Sequence, residues 1–343
     1  MTTTVSLDQA ANLVKTCGTT NTFIFQGEAG IGKSAMLGVL SRDTDLEPRY
    51  VDCALLDLGD LQMPKVNDSL EFIPNKLFVS DKPIIVMLDE IGKAMRPVQN
   101  ALLTLLLEHR IGSHHLPEGS VVFGTTNMAT DGLGDKMEAH AKNRVSFLRI
   151  RKPNADQWSE WAMDNQVAPE VIAWVREYPH CLATYTDSDG KTDNPYIFDP
   201  RSQQAAFVSP RSLYHASHIV KERKSLGSEV MMTALAGTIG ESAARDMEAF
   251  LNVADALPPF KVIVEKPETT DIPESPIAAT ILALGAVMRV EPNNINNFLI
   301  YLKRLPREVQ FLFAQNAMRS QNARTVVTSA EFTKWAAENS MFV

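Results

Sequence analysis

Four runs of consecutive apolar residues punctuate the first 150 positions: Thr22 to Gln26, Pro83 to Leu88, Ser120 to Thr126 and Val145 to Ile150. They are continuous rather than alternating, as expected of strands buried on both faces of a parallel sheet. Between the second and third, Pro97 to Arg110 carries Val98, Ala101, Leu102, Leu105 and Leu106 on one helical stripe. Strand followed by helix, repeated, predicts a parallel α/β core over residues 1–152. From Pro153 the period becomes helical: Ala155 to Asn165, Pro169 to Tyr178, Pro210 to Arg223 and Ser242 to Ala254, interrupted by a polar loop rich in Gly, Asp and Pro from Thr184 to Arg201. Residues 153–256 are thus expected to form a helical domain. Residues 257–276, rich in Pro, Glu and Thr, are expected to be a linker. Ile277 to Val290, Ile295 to Leu305, Arg307 to Ser320 and Ser329 to Asn339 then predict a helical C-terminal extension, 277–343.

The first apolar run is followed by Gly27-Glu28-Ala29-Gly30-Ile31-Gly32-Lys33-Ser34, a match to G-x-x-x-x-G-K-[ST]. Each residue type has a physical reason. Glycines let successive backbone N–H groups face a phosphate, and a following helix N-terminus adds its positive dipole end. Lys33 would neutralise the outer phosphates and Ser34 would hold Mg²⁺ through its hydroxyl, while Ala35 to Leu40 supplies the helix. The expected ligands are therefore ATP, or another nucleoside triphosphate, and Mg²⁺.

The second run ends in Asp89-Glu90. In an open α/β sheet, ligands lie beyond the carboxyl ends of the strands, so Asp89 is placed to position Mg²⁺ and Glu90 to activate the attacking water. Asn127, after the third run, can hydrogen-bond the γ-phosphate or that water. Arg144 precedes the fourth run, after a helical stretch from Leu133 to Lys142. Ser209-Pro210-Arg211 opens a helix with an arginine that opposes the helix dipole, which suggests another role for Arg211.

Phosphate loop, Asp-Glu strand, strand-end Asn127, Arg144 and Ser-Pro-Arg211 together resemble an AAA+ ATPase, with Walker A, Walker B, sensor 1, arginine finger and sensor 2 in order. Within that superfamily the chain is similar to the MoxR-like branch, related to the magnesium chelatase ATPase subunit. Leu58-Gly59-Asp60-Leu61 through Phe78 resembles the insertion in helix 2, and Leu105 through Gly119 the hairpin before sensor 1. Two departures are Glu28-Ala29 at the loop centre, where the family favours proline, and Asn127-Met128 without the usual Asn-Pro. The resemblance implies that 153–256 is a lid. It further implies a homo-oligomeric ring, hexameric in the family pattern, with a site shared between subunits. It also implies chaperone-like remodelling of a protein client, with a von Willebrand factor A-type domain as the family's partner.

Composition narrows the alternatives. With 41 acidic and 33 basic residues the 343-residue chain has a net charge of -8, which weighs against a nucleic-acid motor of the helicase or clamp-loader type that relies on phosphate neutralisation. A nucleotide-gated protein-binding module stays open. The N-terminal Met1-Thr2-Thr3-Thr4 has no basic or apolar leader pattern and no apolar run is long enough to span a bilayer, so a cytoplasmic protein is expected. Cys17, Cys53 and Cys181 suggest neither disulfides nor zinc. His109, His114 and His115 lie in the expected hairpin without metal-ligand spacing, and His215 and His218 fit one partly exposed helix face. Arg245 fits a surface ion pair, whereas Arg96 could face nucleotide or pore.

Overall fold

A computed structural model describes residues 4–66, 70–128, 144–185, 193–199 and 204–339. The chain divides into two compact units, Met1–Pro153 and Asn154–Val343. The first holds a six-stranded, all-parallel sheet of β1 (Thr4–Val5), β2 (Phe23–Gly27), β3 (Glu47–Asp52), β6 (Ile84–Asp89), β9 (Val121–Asn127) and β10 (Ser146–Ile150), in the order β1-β10-β2-β9-β6-β3. The central strands lie where the apolar runs predict them, each ending one residue later except the last. Every residue of β6 and β9 is buried.

Strand periodicity divides that apolar surface between two layers. Val86 and Leu88 of β6, with Ile24 and Val122, pack against Leu102, Leu105 and Leu106 of α4 (Arg96–Glu108). Ile85 and Met87, with Phe23, Phe25 and Phe123, face Val14 of α1 (Leu7–Cys17) and Leu37 and Leu40 of α2 (Met36–Thr44). Ser6 caps α1 in a reciprocal capping box with Gln9. The register places Gly27 opposite Asn127, Leu88 opposite Gly124, and Asp52 opposite Asp89. The carboxyl ends of four strands thereby form one edge.

Between β3 and β6, the polar insert forms α3 (Leu58–Leu61) and an antiparallel hairpin, β4 (Gln62–Val66) with β5 (Leu70–Pro74). A second hairpin, β7 (Arg110–Ile111) with β8 (His114–His115), precedes β9 as expected. The helical stretch Leu133 to Lys142 lies outside the described residues, as does part of the loop Thr184 to Arg201.

Regular structure among the described residues of the second unit is helical throughout. Helices α5 (Ala155–Asp164), α6 (Pro169–Glu177), α7 (Pro210–Lys221), α9 (Ser228–Ile239) and α10 (Glu241–Asp255) build one core around Trp158 and Trp174, while the short α8 (Arg223–Leu226) buries none of its residues. No apolar stripe marks α9 in the residue pattern, because its inward side is one residue per turn: Met231, Leu235 and Ile239. A second core joins α11 (Phe260–Glu265), α13 (Ile295–Leu302), α14 (Arg307–Arg319), α15 (Ala323–Val327) and α16 (Ala330–Glu338). The stretch 257–276 is not bare linker, since Ile263 of α11 is buried in that core. Between the cores runs α12 (Pro276–Val287), apolar on all sides, which gives Ile281 and Leu284 to one and Leu282 and Val287 to the other. No described helix is long and apolar enough to cross a membrane.

Phe298 is fully buried between Phe260 and Phe313, at ring-centroid distances of 5.6 and 5.0 Å. Phe298→Ala should therefore cost about 3–5 kcal/mol. All four tryptophans belong to the second unit, so their fluorescence reports its unfolding. The denaturant midpoint read by fluorescence should fall, and an unmoved midpoint would contradict this packing.

Candidate active site

The edge formed by the ends of β2, β9 and β6 gathers five of the residues singled out from sequence. After β2 the chain turns through Gly30 and Gly32 at φ of 76° and 105°, a backbone region that side-chained residues occupy at a cost. At Gly27 the constraint is space, since an added Cβ would lie 2.5 Å from Cδ1 of Ile31 and 3.2 Å from the Ile150 carbonyl oxygen. Lys33 opens a short 3-10 turn leading into α2, and its side chain folds back under the loop. Its ammonium donates to the carbonyls of Gly27 (2.9 Å) and Glu28 (2.8 Å) and to Oδ1 of Asn127 (2.8 Å). At 6% exposure this cation is nearly dry, and oxygen acceptors on several sides offset its lost hydration. Phosphate oxygens offer the same kind of acceptor.

Asp89 is the second node, 5% exposed. Its Oδ2 accepts from the Ser34 hydroxyl (2.7 Å) and the Tyr50 phenol (2.9 Å), while Oδ1 accepts from the Thr125 hydroxyl and the Glu90 N–H (3.1 Å). A hydroxyl and a carboxylate in contact are hard oxygen donors that suit Mg²⁺, which takes one or two carboxylates and completes its shell with water and substrate phosphate. Among the described residues no group of three or more His, Cys, Asp or Glu forms an all-protein cage. A cation here would thus depend on Ser34, Asp89 and the nucleotide itself.

Glu90 follows at φ 54°, ψ 40°, a left-handed conformation that costs an L-residue roughly 1–2 kcal/mol. Such strain is typical of positions where a side chain must be aimed. The next residues, Ile91–Lys93, make a 3-10 turn closed by the Lys93 N–H on the Glu90 carbonyl (2.8 Å). Glu90 Oε1 accepts from the Asn127 amide (3.1 Å), and Oε2 pairs with the Lys93 ammonium. Asn127 therefore bridges Lys33 and Glu90, accepting from one and donating to the other.

Arg144 is elsewhere. Ser146 pairs with Phe23 and Gly27 lies four residues farther along β2, a rise of about 13 Å. Arg144, exposed just before β10, accordingly stands at the opposite edge of the sheet from Lys33. It lines a polar cavity of about 490 Å³ with Asn21, Thr22 and Glu108. Arg211 is exposed in the first turn of α7, in the second unit. Arg96 opens α4 and is exposed, and Arg245 pairs with Glu241 on the surface. Ala29 and Ile31 belong to the loop, with Ile31 buried beneath it, and Ala35 closes the 3-10 turn. Glu28 is tied through its carboxylate to Lys152 (3.8 Å), whose side chain is only 4% exposed.

Sequence reading missed Tyr50, Thr125, Lys93 and Lys152. Only Thr125 carried a usable signal, because it stands two residues before Asn127 and so shares its face of the strand.

No family model matches the chain, and no curated protein matches it. Solved structures do resemble it. RuvB of Thermotoga maritima, described as a Holliday junction branch migration motor, aligns over 87% of this chain and 85% of its own, at 16% identity and a TM-score of 0.38. NtrX of Brucella abortus in complex with ADP aligns over 98% of this chain and 68% of its own, at 13% identity and a TM-score of 0.36. NtrX with ATP gives 12% identity and 0.35, over 98% and 67%. At such identities and scores the likenesses assign neither family nor activity to this chain.

Beside the site, Cys53 is fully buried, its N–H donating to the Asp89 carbonyl (3.0 Å). Burial, and then the negative charges of Asp89 and Asp52, push its thiol well above the ordinary range. The reactive thiolate is thus suppressed in the folded state. At about pH 8, where an unperturbed thiol near 8.5 already ionises in part, a thiol reagent should leave Cys53 unmodified until denaturant is added. Rapid labelling of Cys53 in the native protein, located by peptide mass, would contradict this placement.

Proposed function

We propose that the chain is a Mg²⁺-dependent ATPase of the AAA+ type, similar to the MoxR-like branch, that works as a ring and uses hydrolysis to remodel a protein partner. The observation that carries the reading is the hydrogen-bonded series Lys33–Asn127–Glu90 beside the Ser34–Asp89 pair, all at the mouth of a phosphate-loop motif. In it, Lys33 exchanges carbonyl acceptors for the outer phosphates. Ser34 and Asp89 would hold Mg²⁺, which supplies charge neutralisation on those phosphates. Glu90 takes a proton from the attacking water as that water bonds to the γ-phosphorus and the bond to the bridging oxygen breaks, releasing ADP. Asn127 orients the γ-phosphate or the water, and the loop N–H groups from Gly27 to Ala35 cradle the phosphates.

A ring is supported by the position of Arg144 on the edge away from Lys33, too far along the sheet to serve its own chain's nucleotide. It would enter the site of a neighbour, while Arg211 binds phosphate from the lid. Hexamers and a von Willebrand factor A-type client are what the family resemblance adds. A protein client is also favoured by the β4–β5 hairpin, which exposes Met63, Val66, Leu70, Phe72 and Ile73 on a chain of net charge -8.

Glu90→Gln should keep ATP binding while steady-state phosphate release falls by about 10² or more. Arg144→Ala should lose about 10³ or more as a pure assembly. When the two proteins are co-assembled, partial activity should return with a maximum at an intermediate ratio, because some interfaces then join an intact Glu90 to an intact Arg144. Near-normal turnover of Glu90→Gln would remove the assignment of the base, and normal turnover of pure Arg144→Ala would remove the finger.

A further inference from the structure

Glu90 is held by more than its neighbour Asn127. Its left-handed backbone turns the chain directly into the Ile91–Lys93 3-10 turn, which the Lys93 N–H closes on the Glu90 carbonyl at 2.8 Å. The Lys93 ammonium pairs with Oε2, while Asn127 donates to Oε1. The turn itself is fixed from beneath. Gln99, buried on α4, donates to the Ile91 carbonyl (3.1 Å), and the fully buried Ile91 lies over Gly124, where an added Cβ would come within 3.7 Å of its Cγ2. A lysine on a pinned turn thus meets a carboxylate on a strained one.

From this we infer that Lys93 is a positioning residue for the reaction: its ammonium fixes the plane of the Glu90 carboxylate so that the lone pairs left free face the attacking water. A carboxylate offers about four acceptor sites, so the two donors fix its orientation and leave acceptors for the water proton. Asn127 alone would leave the carboxylate free to swing about a single contact, and its amide is also engaged by Lys33. Lys93 acts through Glu90, the carboxylate it pairs with.

The inference rests on the ATPase reading above, and the variants separate the two. Lys93→Met should lower kcat about 10-fold or more, the scale of losing an outer partner of an active-site ligand, with KM for ATP and the affinity for a fluorescent ATP analogue within about twofold of the parent. Lys93→Arg, which keeps the charge and the reach, should restore most of kcat. In a Glu90→Gln background, Lys93→Met should cause no further loss, because the group it positions no longer acts as a base. A parental kcat in Lys93→Met while Glu90→Gln is inactive overturns the inference alone. So does an added 10-fold loss in the double variant, or a fall in nucleotide affinity that matches the fall in kcat. Full activity of Glu90→Gln overturns instead the reading on which it rests.

Discussion

A single buried cation, the Lys33 ammonium, sets the terms for the rest of the first unit. A charge at 6% exposure persists only when oxygen acceptors replace its water, and three come from different places in the chain: two loop carbonyls and the amide of Asn127, 94 residues away. That convergence requires Gly27 and Asn127 to lie opposite each other on adjacent parallel strands. A slip of one residue would turn Asn127 to the other face and take one acceptor from the cation. The register is in turn enforced by the two apolar layers, since the same slip would exchange the residues facing α4 with those facing α1 and α2. Packing and chemistry are therefore specified together.

Strain is concentrated at the other end of the same network. Glu90 is one of few described non-glycine residues at positive φ, and it immediately follows Asp89, whose carboxylate accepts four donors. The strand ends at the anchored aspartate, and the strained glutamate redirects the chain so that consecutive carboxylates meet different partners. Gln99 and Ile91 supply the packing that maintains this arrangement.

Much of this was legible in the residue pattern, for identifiable reasons. Buried strands declare themselves as unbroken apolar runs, and the phosphate loop as a rare combination of glycines with Lys33 and Ser34. Edge strand β3, Glu47–Asp52, declares nothing, because only Val51 is buried in it, and with it went Tyr50, whose phenol reaches Asp89. Lys93 was hidden because its meeting with Glu90 depends on one residue's left-handed backbone, which no spacing rule signals. In the second unit α9 escaped because it buries a narrow side, and 257–276 looked like linker because its Pro, Glu and Thr content outweighed the few apolar residues that pack.

The central claim is that the strand ends form a phosphate site that uses a divalent cation. Calorimetric titration of the full chain with ATP, once in magnesium and once in EDTA, tests it most directly. Binding of one nucleotide per chain is expected, weaker when the cation is chelated and weaker again in Lys33→Ala, which loses the buried ammonium. Affinity unchanged by both the chelator and the substitution would contradict the site, as would the absence of any binding by the parent chain.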